Sequence, residues 1–207
     1  MEGDAAHRYQ RSARQRMKEY CEVAERLKAL LPNGGDMLEI APGPGFLAIE
    51  MARSSKFRVT GIDISKTFVE LARKNATEAG VPVEFRWGNA QELPFAGNSF
   101  DLVVCRAAFR TFSEPEKALK EMYRVLRPHG TGLIIDLRRD ASILEIMSHV
   151  YRMHLSPWIS LLTVKKFRRL QTHAYSKQQF EELLALIDFK KSEVRTVGIE
   201  IEAWFEK

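Results

Sequence analysis

The chain has 207 residues, 45% of them hydrophobic, with 32 Lys and Arg against 27 Asp and Glu and a formal net charge of +5. That length and apolar content point to one globular domain spanning residues 1–207 and exclude a disordered or low-complexity chain. The mild basic excess favours anionic partners only weakly. Cys21 and Cys105 lack metal-ligand spacing and make no disulfide framework, so no metal site is expected and a reducing, cytoplasmic setting is. The N-terminus carries no apolar segment of a signal peptide, and no run approaches the roughly 18 apolar residues of a spanning helix.

Met17, Tyr20, Cys21, Ala24, Leu27 and Leu31 recur at helical spacing, and Pro32-Asn33-Gly34-Gly35 ends that helix. A strand over Met37 to Ile40 leads into Ala41-Pro42-Gly43-Pro44-Gly45 and a helix reaching about Arg53. Phe57 to Ile62 forms the second strand, closed by Asp63, and Ser65 is placed to cap the helix that follows. Val83 to Trp87 is a short third strand; Phe100 to Cys105 is a fourth, apolar almost throughout, as expected where helices cover both faces. Ser113-Glu114-Pro115-Glu116 reads as a capping box, its helix ending near Arg127-Pro128-His129-Gly130, before a fifth strand over Gly132 to Leu137.

Alternating strands and helices predict a parallel sheet with helices on both faces. Beyond it the pattern changes. Ala141 to Leu170 reads as helical, and Ser176 with Gln179 opens another capping box. Two final strands, about Lys190 to Val197 and Glu200 to Phe205, are separated by little more than Gly198, which only an antiparallel hairpin can accommodate. The expected fold is α/β, a Rossmann-like doubly wound sheet of seven strands, mostly parallel with a C-terminal antiparallel hairpin.

The glycine loop after the first strand is the main chemical signal. Its first glycine, Gly43, suits a sharp turn, and its second, Gly45, would let a ligand approach the backbone. Gly43-x-Gly45-x-x-Ala48 meets a loose dinucleotide fingerprint, and Asp63 lies 20 residues beyond Gly43, where a ribose-binding acid belongs. Glu39 argues against a dinucleotide. A carboxylate at the strand end gains nothing beside a pyrophosphate, but it would hold a cofactor bearing a free ammonium group. Gly88-Asn89-Ala90-Gln91-Glu92-Leu93-Pro94-Phe95 adds a polar turn able to read an adenine edge.

At these residues the chain resembles the class I S-adenosylmethionine-dependent methyltransferases, most of all the small "type 11" enzymes and the quinone C-methyltransferase-like group. The resemblance runs from about Met37 to Leu137. Besides the glycine loop it rests on Val59-Thr60-Gly61-Ile62-Asp63-Ile64-Ser65, the Gly88 to Phe95 segment, Ser99-Phe100-Asp101-Leu102-Val103-Val104 and Glu121-Met122-Tyr123-Arg124-Val125-Leu126-Arg127-Pro128. It implies S-adenosylmethionine as cofactor. Glu39 would bind the methionine amino group, and the Ala41, Gly43 and Gly45 backbone would wrap the methionine portion. Asp63 would take the ribose hydroxyls and Ile64 would pack on adenine. Asn89 and Ala90 would read the adenine amino edge, and Arg106 with Ala107 would line the floor near the sulfonium. Ala41 stands where the family usually has glycine, and Asn89 where it usually has aspartate.

Residues 1–31 and 141–175 lie where such enzymes place a helical lid, and Tyr151 and Trp158 are the lid residues expected near an acceptor. Arg106-Ala107-Ala108-Phe109 is unlike the Asn-Pro-Pro-Tyr-type tetrad of enzymes that methylate exocyclic amino groups, because a guanidinium has no acceptor with which to hold an amine. Cys105, inside an apolar strand, reads as inert core. The aromatic lid points to a small apolar or aromatic acceptor, methylated at O, N, S or C by in-line displacement. His149, His154 and Arg106 are weak candidates for a catalytic group. Alternatives are an RNA methyltransferase, from Arg8, Arg11, Arg14 and Arg16 together with Lys165, Lys166, Arg168 and Arg169, and a non-catalytic cofactor-binding subunit. Interleaved acids and the lack of an RNA-binding module disfavour nucleic acid. Monomer and homodimer stay open.

Overall fold

The computed structural model describes residues 1–207. Seven strands, β1 (Gly35–Ile40), β2 (Phe57–Asp63), β3 (Val83–Trp87), β4 (Phe100–Arg106), β5 (Leu126–Leu137), β6 (Lys191–Val197) and β7 (Glu200–Glu206), form one sheet in the order β3-β2-β1-β4-β5-β7-β6. β1 to β5 run parallel; β7 enters antiparallel between β5 and β6. The expected doubly wound sheet with a C-terminal antiparallel hairpin is therefore what the chain adopts. Strand order reverses between β1 and β4, which opens a crevice at their carboxyl ends.

Helices α2 (Met17–Leu30), α3 (Phe46–Ala52) and α4 (Lys66–Ala79) pack on one face, where Met37, Val59, Leu102 and Val104 meet Leu27, Leu47 and Ala72. On the other face lie α5 (Pro115–Val125) and α8 (Lys177–Leu184), where Leu38, Ile40, Val103 and Cys105 meet Leu119, Met122 and Phe180. Successive residues of β1 and β4 thus go to opposite cores, which is why both strands read as continuous apolar runs. Cys105 is fully buried and burial pushes its thiol well up, as inert core requires.

Local expectations fared unevenly. Ser65 caps α4 by accepting from the Phe68 N–H at 3.1 Å, and the Ser176–Gln179 capping box is formed. The box expected at Ser113 is not. Glu114 is the N-cap without a side-chain bond of its own, while Ser113 Oγ donates to the side-chain carbonyl of Gln91 at 2.8 Å. The α5 helix ends just ahead of the expected Arg127–Gly130 stop. It stops at Val125, and Arg127 to Gly130 already belong to β5, because a residue before proline is driven to extended backbone and His129 N–H donates to the Lys207 carbonyl at 2.8 Å. His129 does take the left-handed conformation of a turn glycine.

Two features were not anticipated. Residues ahead of Met17 form a further helix, α1 (Gly3–Arg14), and the 141–170 stretch is two helices, α6 (Ile143–Tyr151) and α7 (Pro157–Gln171). His154, at positive φ, and Pro157, at the first position of α7, mark the break. Ile146 and Val150 of α6 pack with Val164, Phe167 and Leu170 of α7 and with Leu137 and Ile199, giving this hairpin a small core of its own.

Candidate functional site

The crevice at the carboxyl ends of β1, β2 and β4 gathers the acids that the sequence singled out. Glu39, next to last in β1, is 3% exposed, and its Oε2 accepts the Ala48 N–H in the first turn of α3 at 2.8 Å. The helix N-terminus favours the carboxylate, but full burial dominates and raises the pKa from 4.5 to about 8. No cationic side chain lies within ion-pairing distance of it, since Arg106 spends its charge on Glu19 at 3.0 Å. A buried carboxylate left this way has room for an incoming cation.

Asp63 ends β2 and holds two loops at once. One oxygen accepts the Gly43 N–H at 3.0 Å, and the other accepts the Ser65 N–H at 2.9 Å. Burial raises its pKa, opposed by those two bonds. Each oxygen keeps a free lone pair, enough for two vicinal hydroxyls.

The two loop glycines exchange their expected roles. Both have positive φ, but a Cβ on Gly45 would sit 2.6 Å from the Phe85 ring and 3.0 Å from Ala72. Gly45 is therefore required by packing inside the protein rather than by a ligand. A Cβ on Gly43 would meet only Tyr9 Cε1, at 3.6 Å, so Gly43 is the less crowded position, covered by helix α1 alone. Ala41 takes φ 54, a left-handed conformation that costs a residue bearing a Cβ about 1 kcal/mol. Its N–H donates to the Ile62 carbonyl at 2.8 Å, which fixes it there.

Beyond the end of β2, Ile64 is 62% exposed and Trp87 lies beside it, its Nε1 donating to the Ile64 carbonyl at 2.9 Å. Asn89 Oδ1 already accepts the Gln91 N–H at 3.0 Å, closing its own turn, so its amide group is fixed while Ala90 stays half-buried.

Residues 1–31 were expected as a lid, but the sequence did not show helix α1 or the contacts by which it roofs this crevice. Glu2 accepts from the Lys66 and Thr67 N–H groups at 3.0 and 3.1 Å, supplying an anion at the N-terminus of α4, and Ser65 Oγ donates to the Met1 carbonyl at 2.5 Å. Tyr9 stacks edge-on against Phe68, and Gln10 donates to Asn75, whose Nδ2 in turn donates to the Pro44 carbonyl at 2.8 Å. Helix α1 is thereby tied to the glycine loop. Its helical moment was present in the sequence, but its apolar stripe consists mainly of Ala6, Tyr9 and Ala13, too weak to register.

Arg106, at the end of β4, is turned toward acids rather than toward open space. It stacks on the Tyr20 ring at 4.7 Å, donates to Glu19 at 3.0 Å and lies 3.9 Å from Glu200, whose pKa burial raises. Its Nε is buried without a partner. Arg110 and the buried Asp136 form a second ion pair just beyond, after β4 and at the end of β5. Asp136 resembles Glu39 in sequence, an acid closing an apolar strand, and that signal could have found it.

The histidines do not converge on this crevice as a pair. His149 is half-buried, edge-on to Phe167 with ring centres 5.4 Å apart, and burial lowers its pKa. His154 is exposed in the α6–α7 break. Tyr151 and Trp158 are 80% and 70% exposed, so neither closes over a pocket in this conformation.

An acid-flanked, glycine-lined crevice at the strand-order switch, roofed by an N-terminal helix, suits an adenosyl-amino-acid. Comparison with known proteins agrees: residues 38–134 match the methyltransferase domain family. Residues 38–134 are thus a methyltransferase domain. The chain is 32% identical over 137 residues to the demethylmenaquinone methyltransferase of Deinococcus radiodurans, covering 65% of this chain and 57% of the relative. It is 29% identical over 184 residues to the ubiquinone/menaquinone biosynthesis C-methyltransferase UbiE of Geotalea daltonii, covering 81% and 76%. An Aquifex aeolicus SAM-dependent methyltransferase superposes with a TM-score of 0.68 at 20% identity, covering 88% of each chain, a likeness of fold. The chain thus spans little more than half of the first of these relatives and about three quarters of the second.

Proposed function

We propose that this methyltransferase moves the methyl group of S-adenosylmethionine to a small apolar or aromatic acceptor, with a quinol-like ring as the leading candidate. The observation that carries the cofactor half is Glu39, a buried carboxylate with no cation of its own, beside the less crowded Gly43. Glu39 would hold the ammonium group, Asp63 the ribose hydroxyls and Ile64 the adenine face, with Asn89, Ala90 and the Ala41 to Gly45 backbone completing the cradle. The acceptor half is supported by the names of the relatives, which act on demethylmenaquinone or in ubiquinone and menaquinone biosynthesis.

When bound, the cofactor supplies an activated methyl on a sulfonium. The protein then has mainly to orient an acceptor atom in line with it, which can contribute about 7–11 kcal/mol. Residues 1–31 and 141–175 would exclude water as lids. Glu19 and Glu200 take up the charge of Arg106, so it would not oppose binding of a cationic cofactor. No base is required for an enolate-like ring carbon, and neither His149 nor His154 is given that role.

The test is calorimetry with S-adenosylmethionine and S-adenosylhomocysteine, followed by labelled-methyl transfer to short-chain hydroquinones, phenols, amines and thiols. Cofactor binding with transfer to a hydroquinone or phenol is the expected result. Binding of NADH instead would overturn the cofactor assignment, and transfer only to amines or thiols would overturn the acceptor.

A further inference from the structure

The α6–α7 hairpin differs in surface chemistry from the rest of the molecule. Eight of the fourteen large exposed hydrophobic side chains lie between Ile143 and Leu162. On α6, Leu144, Met147 and Tyr151 follow one another at i, i+3 and i+7, on the side away from Ile146 and Val150, which form the inner core. On α7, Trp158, Leu161 and Leu162 continue along one face into Lys165 and Arg169, away from the inward stripe of Val164, Phe167 and Leu170. Packing has thus used one side of each helix and left an apolar side uncovered.

The charge is equally lopsided. Residues 143–171 contain five of the basic residues, Arg152, Lys165, Lys166, Arg168 and Arg169, and a single acid, Glu145, so the hairpin carries +4 of the chain's +5. Glu145 is neutralised by Arg138 and by the Ser142 cap. Arg168 leans on the neutral Gln171. The basic groups therefore remain uncompensated beside the apolar stripe.

We propose that this hairpin docks on the surface of an anionic lipid bilayer, with its apolar stripe in the headgroup–acyl boundary and its basic residues on lipid phosphates. Three features select that occupant. A bilayer accepts Trp, Tyr, Leu and Met together with Lys and Arg, because the rings and aliphatic stems bury while the charged heads remain at the interface. A second copy of the chain would bring uncompensated positive charge against itself, which costs rather than contributes affinity. RNA would use the basic residues but leave Leu144, Met147, Leu161 and Leu162 in water. No helix is long and apolar enough to cross a membrane, so the contact is at the surface. The hairpin stands beside the crevice: Glu19 acts on His149, and Arg16 and Arg110 on Lys166, through their charges. Docking would hold the acceptor side of the site at the bilayer. The inference stands whatever the acceptor proves to be.

Sedimentation of the full chain with vesicles of phosphatidylcholine alone, or of phosphatidylcholine mixed with phosphatidylglycerol, tests it. Binding to the mixed vesicles, weakened by salt and accompanied by a blue shift of Trp158 fluorescence, is expected. At about a fivefold loss per basic residue near the surface, Lys165→Gln with Arg169→Gln should lower partitioning about thirty-fold. Trp158→Ser with Leu162→Ser should abolish the blue shift and lower partitioning about tenfold or more. All four positions are exposed, and an unchanged circular dichroism spectrum and melting temperature for each double variant show that the fold is intact. No binding to mixed vesicles overturns the proposal. So does self-association removed by Leu162→Ser, or capture of tRNA that the apolar double variant leaves unchanged.

Discussion

The crevice at the carboxyl ends of β1, β2 and β4 and the α6–α7 hairpin are built on opposite terms. In the crevice, polar groups are buried and backbone N–H groups hold them: Glu39 and Asp63 sit at strand ends, bonded by Ala48, Gly43 and Ser65. In the hairpin, apolar groups are exposed and charged groups stand unpaired beside them. A buried acid without a cation is costly to keep, and so is an uncovered apolar stripe. On the proposals above, each cost would be recovered when a complementary surface arrives, an ammonium group in one case and an amphipathic interface in the other.

Breaking the first half of that comparison should give the largest effect. Glu39→Gln preserves the acceptor for Ala48 N–H but removes the charge, and should weaken S-adenosylmethionine by about 3 kcal/mol, roughly a hundredfold, in a calorimetric titration. The same residue sets a pH dependence with a definite sign. Its folded pKa of about 8 lies above the ordinary 4.5, so the ligand-free fold holds a proton that the unfolded chain has released. Its contribution to stability is complete below about pH 4.5 and is lost as the pH rises through 8. Asp63, also raised, adds to that slope. A cationic ligand favours the carboxylate, so binding should release a proton below pH 8 and affinity should rise toward it. Thermal scans and calorimetry in buffers of different ionisation heat measure both trends, and Glu39→Gln should flatten them.

Asp63→Ala should be next, with a loss of roughly 1.5–3 kcal/mol in cofactor affinity. Because Asp63 also fixes Gly43 and Ser65, the melting temperature should fall as well; a loss of affinity without it would mean the loops hold themselves. Ala41→Gly relieves a left-handed alanine and should stabilise the protein by about 0.5–1 kcal/mol in denaturant titration. On the hairpin side, Tyr151→Ser should leave stability within about 0.5 kcal/mol, since the ring touches little. A larger loss would show that the stripe is packed rather than presented.

How far each region could be read from sequence follows the same division. The sheet, its hairpin and the positions of Glu39, Asp63 and Asn89 were legible, because hydrophobic period, strand-closing acids and turn chemistry are local signals. Helix α1 was not, since a face of alanines carries little contrast until Phe68 and Leu71 are brought against it. The 141–170 stretch read as helical throughout, and its break between Tyr151 and Pro157 shows only in the fold. Gly43 and Gly45 were recognised as a pair, but which one is less crowded depends on Phe85, some forty residues away. Arg106 likewise could not be placed from its own strand, because Glu19, Tyr20 and Glu200 reach it from the two ends of the chain.

The sequence by itself determined the fold class, the family and the acids of the crevice, because each rests on residues close together in the chain. Only the tertiary structure decided which glycine is less crowded, which acids take up Arg106 and which side of the α6–α7 hairpin is left bare. Those outcomes depend on what distant segments cover, and burial belongs to the assembled chain rather than to any stretch of it.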